Sequence, residues 1–302
     1  TSQWDILFKE RKVKMLLTIF TPTYNRKDKI GRLYDSLKNQ TNKSFEWLII
    51  DDGSNDGTDK LIQNYIKERE IDIKYVRQDN GGKHVAYNTA LNYVKGKYFF
   101  CVDSDDWISD EFVKELSNKS EDKDYEGFIA YKSNSKNELL SKMFPPQVEK
   151  CSILDLSKTY HCEGEFSIII RSDIARNYKF PVFKNEKFIG ENVIYDRISE
   201  KYRFKLINKI ATICEYQEDG LTNNYTDLMK QNPSGFCLYY MQRIDLVNSF
   251  IEKVSMAGKY NCFKRICNNQ NIKYCGKNSA LVYCTKPLGW LFWGYYKVKR
   301  GF

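Results

Sequence analysis

A chain of 302 residues that is 42% hydrophobic and holds 22 Tyr and 18 Phe can bury one large core or two smaller ones, which excludes an intrinsically disordered protein. Its formal charge of +9 is unevenly placed: residues 251 to 302 carry ten Lys or Arg against one acid, Glu252, so the remainder is balanced. Nine cysteines, an odd number without the tight spacing of a secreted miniprotein, indicate mostly reduced thiols in a cytosolic setting.

The chain opens with "TSQWDILFKERKVKM", charged throughout and lacking the apolar centre of a secretory signal. Residues 1–14 read as an extension ahead of a start at Met15 or as an expression remnant. Four short apolar runs follow, "MLLTIF" (15–20), "FEWLII" (45–50), "IKYV" (73–76) and "YFFCV" (98–102), with the low charge of strands buried on both faces. Between them lie helical stripes at Ile30, Leu33, Tyr34 and Leu37, at Leu61, Ile62, Tyr65 and Ile66, and at Ala86, Ala90, Leu91 and Val94. Such alternation predicts a mainly parallel sheet with right-handed crossovers.

Ligands of parallel sheets bind beyond the carboxyl ends of the strands, and polar clusters stand at each predicted end. They are "TPTYNR" (21–26), "DDGSNDGT" (51–58), "QDNGGKH" (78–84) and "DSDD" (103–106). Turn chemistry accounts for any one of them, with Asp56 or Thr58 capping the next helix, but not for four in register. Three carboxylates within "DSDD" repel one another unless a cation or a set of donors stands between them, or unless Asp105 and Asp106 cap a following helix.

In order and spacing, "TIFTPTYNR", "WLIIDDGSNDGT", "NGGKHVAYNTAL" and "YFFCVDSDDW" resemble the nucleotide-binding half of the inverting family 2 glycosyltransferases, closely over 15–110 and loosely to about 220. The resemblance implies an α/β GT-A (Rossmann-like) fold, a mainly parallel mixed sheet flanked by helices, with a C-terminal helical extension. It divides the chain into a nucleotide-sugar half (15–110), an acceptor half (111–226) and a helical basic-aromatic region (227–302). The implied donor is a UDP-sugar and the implied cofactor Mn²⁺ or Mg²⁺. A sugar diphosphate gains charge as the sugar leaves, so a hard cation held by few carboxylates suits it. Asp105 would bind that cation, with Asp106 sharing or replacing it, and Asp103 with Ser104 would face the ribose and donor sugar. Tyr24 and Asp51 are candidates for uracil, Thr21 and Pro22 for backbone shaped against the base, and Asp52 for the ribose side. Asn80, Gly82 and Lys83 complete the donor set, Lys83 reaching the base or phosphates. His84 reads as local support.

An inverting transfer needs a base for the acceptor hydroxyl on the face opposite the leaving diphosphate. In the family an acid pair opens a helix 80 to 100 residues past the D-x-D, where this chain has "KFIGENVIYDRISEKY" (187–202) with Glu191 followed by Asn192. Glu191 is therefore the predicted base, Asn being unable to accept a proton usefully; a dipole-driven place in a first helical turn is the alternative. Some members keep only this Glu with a downstream Arg, here Arg197. "GEFSIIIRSD" (164–173) reads as strand and turn before the acceptor subsite, with Arg171 as an ion-pair partner. The stretch "YQEDGLTNNYT" (216–226) resembles a donor-closing loop hinged at Gly220.

Residues 233–302 read as helices, and Cys262, Cys267, Cys275 and Cys284 as buried or free thiols because none forms C-x-x-C. "KPLGWLFWGYYKVKRGF" (286–302) mixes aromatic residues with Lys286, Lys297, Lys299 and Arg300, and its apolar stretch is too short to span a bilayer. It reads as an anchor on an anionic membrane or as an ordinary helix packed onto the enzyme. The expectation is a cytoplasmic hexosyl- or N-acetylhexosaminyl-transferase, peripheral on the inner membrane face, acting on a glycan or lipid-linked acceptor of cell-surface polysaccharide. The rival is a catalytically silent UDP-sugar-binding module, which Asn192 would suit. A nucleic-acid partner is not expected, because the strand ends are acidic.

Overall fold

In the computed structural model the chain is described over residues 15–121, 125–215, 225–267, 269 and 271–300, with backbone alone at 299 and 300. The four apolar runs become β1 (Leu17–Thr23), β2 (Phe45–Asp51), β3 (Asp72–Arg77) and β4 (Tyr98–Cys101), all parallel. The stripes between them become α1 (Ile30–Lys38), α2 (Thr58–Glu68) and α3 (Lys83–Ala90). α3 stops before its stripe does. Val94 is buried beyond the helix end, because the chain must turn early to lay Gly96 against the backbone of β1. A Cβ on Gly96 would stand 2.4 Å from the Thr18 nitrogen.

One expectation about burial fails at β3. It is the outermost strand, so one edge and much of its surface face water, whereas β2 beside it is buried throughout. A second fails after "DSDD": the next element is the two-residue strand β5 (Trp107–Ile108), and the helix α4 (Phe112–Glu121) begins only later. Asp105 and Asp106 therefore cap no helix.

The rest of the chain completes the same sheet. β6 (Gly127–Asn134), β7 (Lys150–Cys151), α5 (Ile153–Lys158), β8 (Phe166–Arg171), α6 (Ser172–Arg176), α7 (Asn192–Ser199) and β9 (Phe204–Cys214) follow in order. The strand order is β3-β2-β1-β4-β8-β6-β9-β5, with β7 paired to β9. β8 runs antiparallel to both β4 and β6, so the sheet is mixed. Alternation along each strand divides the core. Leu17, Ile19, Trp47 and Ile49 pack with α1, α2 and α4 on one face, while Phe20, Leu48 and Ile50 pack with α3 and α7 on the other. Each fully buried Leu, Ile or Phe contributes roughly 2 kcal/mol, so both faces hold the strand ends rigidly in place.

A third cluster forms among α8 (Tyr225–Gln231), α9 (Pro233–Leu246), α10 (Phe250–Cys267), α11 (Ser279–Cys284) and α12 (Lys286–Arg300). Phe236, Tyr240, Phe263 and Tyr296 are its aromatic centre. All nine cysteines are free thiols.

Candidate active site

The loops after β1, β2 and β3 are laced together by side chains that accept from backbone N–H groups. Ser54 Oγ accepts from Asn25 N (2.9 Å), and Asn25 Oδ1 accepts from Asn55 N (2.9 Å). Asp56 accepts from Lys27 N and from both the backbone and the hydroxyl of Thr58, so Asp56 ties the first residue of α2 to the first loop. Burial opposes the charge on Asp56, but these donors outweigh it and hold its carboxyl below the usual range.

The predicted uracil and ribose residues lie here, with their acceptors largely engaged. Asp51 is fully buried; its Oδ1 accepts from Ser54 N (2.7 Å) and its Oδ2 from the Tyr75 hydroxyl (2.5 Å). Asp52 accepts from Gln78 Nε2 (2.7 Å), Gly81 N (2.9 Å) and Gly82 N (2.7 Å), while Asn80 Nδ2 donates to its carbonyl (2.9 Å). The carboxylate of Asp52 thus shapes the Gly-Gly turn that presents Lys83. Thr21 is buried, and its hydroxyl accepts from Trp47 Nε1 (3.0 Å), so its side chain serves the core. Pro22 is half-buried, and the Tyr24 ring stands exposed at the exit of β1.

Residues 103–106 form a turn closed by Asp106 N donating to the Asp103 carbonyl (3.1 Å). The turn sorts its carboxylates. Asp106 faces inward, with Lys132 Nζ at 3.5 Å and the Cys214 thiol donating to it at 3.2 Å. Burial pushes Asp106 up to about 6 despite the pull of Lys132. Asp103 meets Lys83 Nζ at 2.5 Å; burial raises its pKa, but Lys83 and Lys132 outweigh that and hold it below the usual value. Ser104 is buried within the turn. Asp105 is half-buried, and no hydrogen bond or ion pair among the described residues engages its carboxylate. Among those residues no three His, Cys, Asp or Glu side chains form a metal cage. A cation held by one or two carboxylates plus substrate phosphates needs none, and the unengaged Asp105 carboxylate fits that chemistry.

Glu191 arrives from the other side. It is the N-cap residue of α7, yet its side chain makes no capping hydrogen bond. Instead Glu191 Oε1 meets Lys83 Nζ at 2.8 Å, the same ammonium that holds Asp103. Burial works against the charge on Lys83, but the two carboxylates hold the ammonium well above the usual lysine value. Gly82 makes this meeting possible. It has φ +92°, and a Cβ there would lie 1.9 Å from the Lys187 carbonyl oxygen, so only glycine lets the two backbones touch.

Other expected residues fall elsewhere. Asn192 is exposed at the start of α7. Arg197 is exposed too and stands over the Tyr178 ring at 5.4 Å. Arg171 pairs with Asp173 (2.7 Å). His84 is buried with its ring edge toward Phe180, and burial lowers its pKa, which suits packing. Residues 216–224, including Gly220, lie outside the described residues. Sequence reasoning passed over Tyr75 and Lys132. The signal for Lys132 was present: a lone cation in the apolar strand "GFIAYKSN".

A sequence model of the family described as Glycosyl transferase family 2 matches residues 18–177, more than half of the chain. The chain belongs to glycosyltransferase family 2. It is 32% identical over 175 residues to the poly(ribitol-phosphate) beta-N-acetylglucosaminyltransferase TarP of Staphylococcus aureus, covering 55% of this chain and 53% of TarP. Across TarP and similar curated relatives the match spans 15% to 53% of the relative's own length. The structure of S. aureus TarS 1-349 in complex with UDP-GlcNAc superimposes with a TM-score of 0.61, at 14% identity, over 94% of this chain and 92% of that one. The mannosyltransferase PcManGT of Pyrobaculum calidifontis, in complex with GDP-Man and Mn²⁺, gives 0.54 at 15% identity over 93% and 84%. At such identities the likeness speaks for the fold, the GT-A fold of family 2.

Proposed function

We propose that this chain transfers a sugar from a UDP-sugar, with inversion and with the help of Mn²⁺ or Mg²⁺, to a hydroxyl of a glycan or lipid-linked acceptor in cell-surface polysaccharide synthesis. The observation that carries the reading is the double pairing of Lys83, to Asp103 at 2.5 Å and to Glu191 at 2.8 Å. One side chain thereby spans from the donor carboxylates to a carboxylate on the opposing wall, which a single displacement requires. Relatives named as poly(ribitol-phosphate) glycosyltransferases and a fold match solved with UDP-GlcNAc support the donor and acceptor classes.

In this reading Tyr24 offers its exposed ring to the base, and Asp51 and Asp52 hold the loops that receive the nucleoside. Asp105, with the neighbouring turn, holds the cation, which when bound neutralises charge gathering on the leaving diphosphate. Glu191 takes the proton of the acceptor hydroxyl on a carboxylate oxygen. Burial first, then Cys101 and Glu191, raise the pKa of buried Tyr87, and burial followed by Glu191 raises that of half-buried Tyr195, so both tyrosines stand beside the proposed base. A thermal-shift panel of UDP-sugars and nucleoside diphosphates, with and without Mn²⁺, tests the assignment: a selective, Mn²⁺-enhanced rise in Tm is expected. Equal or absent shifts across the panel overturn it.

The membrane partner belongs to the same proposal. On α12 the Phe292, Trp293 and Tyr296 rings pack toward α10, and the Arg265 guanidinium stacks on Trp290 (3.8 Å) and Trp293 (4.9 Å). Pro287, Leu291, Tyr295 and Val298 remain exposed along the helix, flanked by exposed Lys286 and Lys297. No helix among the described residues is long and apolar enough to cross a membrane. This face suits the anionic lipid interface, where aromatic and aliphatic groups enter and cations stay at the headgroups. The intact chain should float with anionic vesicles and be released by salt, and Leu291→Glu with Val298→Glu should abolish flotation. Equal behaviour of the two proteins overturns the anchor.

A further inference from the structure

We infer that Lys83 makes the base conditional on the donor: in the donor-free protein it occupies Glu191, and on donor binding it exchanges Glu191 for the diphosphate, freeing the carboxylate to accept a proton. The inference rests on the donor and base assignments proposed above.

An ammonium has three protons to give, and here two of its partners are carboxylates at 2.5 Å and 2.8 Å. A carboxylate so paired has an oxygen occupied by the ammonium and turned from the acceptor hydroxyl it would serve. No capping bond holds the Glu191 side chain. Among the described residues Lys83 is its one tether, and rotation of one flexible side chain is enough to release it. The backbones need not move, since Gly82 and Lys187 already touch. A diphosphate carries more charge than a single carboxylate and, beside Asp103, would arrive within reach of the same ammonium at the start of α3, whose dipole also favours an anion. Asp103 keeps its claim on Lys83 throughout, so the exchange swaps one partner of two.

Coupling of this kind is reciprocal. If the diphosphate must take Lys83 from Glu191, then removing the charge of Glu191 must make the diphosphate bind more tightly, and only while Lys83 is present. Calorimetric titration of UDP in the presence of Mn²⁺, on the full chain, measures this directly in the parent, Glu191→Gln, Lys83→Met and the double variant. Glu191→Gln should tighten UDP about fivefold in the parent background and less than about twofold in the Lys83→Met background. Lys83→Arg, which keeps the charge, should retain part of the gain, and melting curves check that each variant is folded. No gain from Glu191→Gln, or an equal gain in both backgrounds, which would mean simple repulsion between Glu191 and UDP, overturns the inference while leaving the donor reading intact. A parent that binds no nucleoside diphosphate overturns both.

Discussion

The two walls of the crevice are built by different means. On the wall formed by the ends of β1, β2 and β3, Asp51, Asp52, Ser54 and Asp56 each accept from backbone N–H groups. On the opposite wall Glu191 is held by one exposed-edge ion pair to a flexible lysine. Hydrogen bonds from backbone to buried carboxylates are short, fixed and costly to lose. A half-exposed ion pair contributes little to stability and exchanges easily. The first wall is made to hold a shape, the second to change partners.

The largest test of this contrast lies where the walls share a charge problem. Asp105→Asn should lower transfer about a thousandfold with little change in melting temperature, because the unengaged carboxylate serves the leaving group and no structural bond. Near-parent turnover in this variant, or in EDTA, would remove the metal from the mechanism. Gly82→Ala follows: a Cβ 1.9 Å from the Lys187 carbonyl at φ +92° should cost about 3 kcal/mol in denaturant unfolding, by strain and overpacking together. A cost below about 1 kcal/mol would show that the walls do not touch there.

Glu191→Gln should depress transfer about a hundredfold while leaving unfolding free energy within about 0.5 kcal/mol, as expected of the wall that changes partners. Loss of stability without loss of rate would invert the comparison. The smallest effect concerns how α7 is seated. Asp196, buried on α7, meets Arg243 Nε of α9 at 2.7 Å, and burial pushes its carboxyl up to about 6 against the pull of that arginine. A carboxyl whose folded pKa lies above its unfolded value binds extra protons when folded, so its contribution is favourable below about pH 4 and is lost as pH rises to about 6. The stability of the parent minus that of Asp196→Asn should fall by about 2 kcal/mol across that window, read from urea midpoints. A flat difference would place the Asp196 pKa near that of an exposed carboxyl.

Much of the first wall was legible because its chemistry is local. "DDGSNDGT" and "QDNGGKH" announce turns, and the apolar runs before them fix which ends of the strands they follow. What each carboxylate does was less legible. Asp51 and Asp52 stand adjacent, yet one meets Tyr75 and the other the Gly-Gly turn, since neighbouring residues at a strand end point in opposite directions. Asp106 reads like Asp105 until Lys132 and Cys214 arrive from strands 26 and 108 residues downstream. On α12 the sequence offered anchor or core; one face of the helix packs into the third cluster and the other stands exposed.

The position of β8 has a consequence for how the protein is made. It is the strand that covers the edge of β4, pairing Phe99 with Ile170 and Phe100 with Ile169, yet it leaves the ribosome about seventy residues later. Until then β4 presents a bare edge of unpaired backbone N–H and C=O groups between largely apolar side chains, the kind of edge on which chains add to one another. A fragment ending near 110, though it contains every nucleotide-side loop, should aggregate on expression, and the shortest soluble piece should extend beyond Arg171. Synthesis past that residue, rather than completion of the donor loops, is the step at which the nascent chain becomes safe from its own kind.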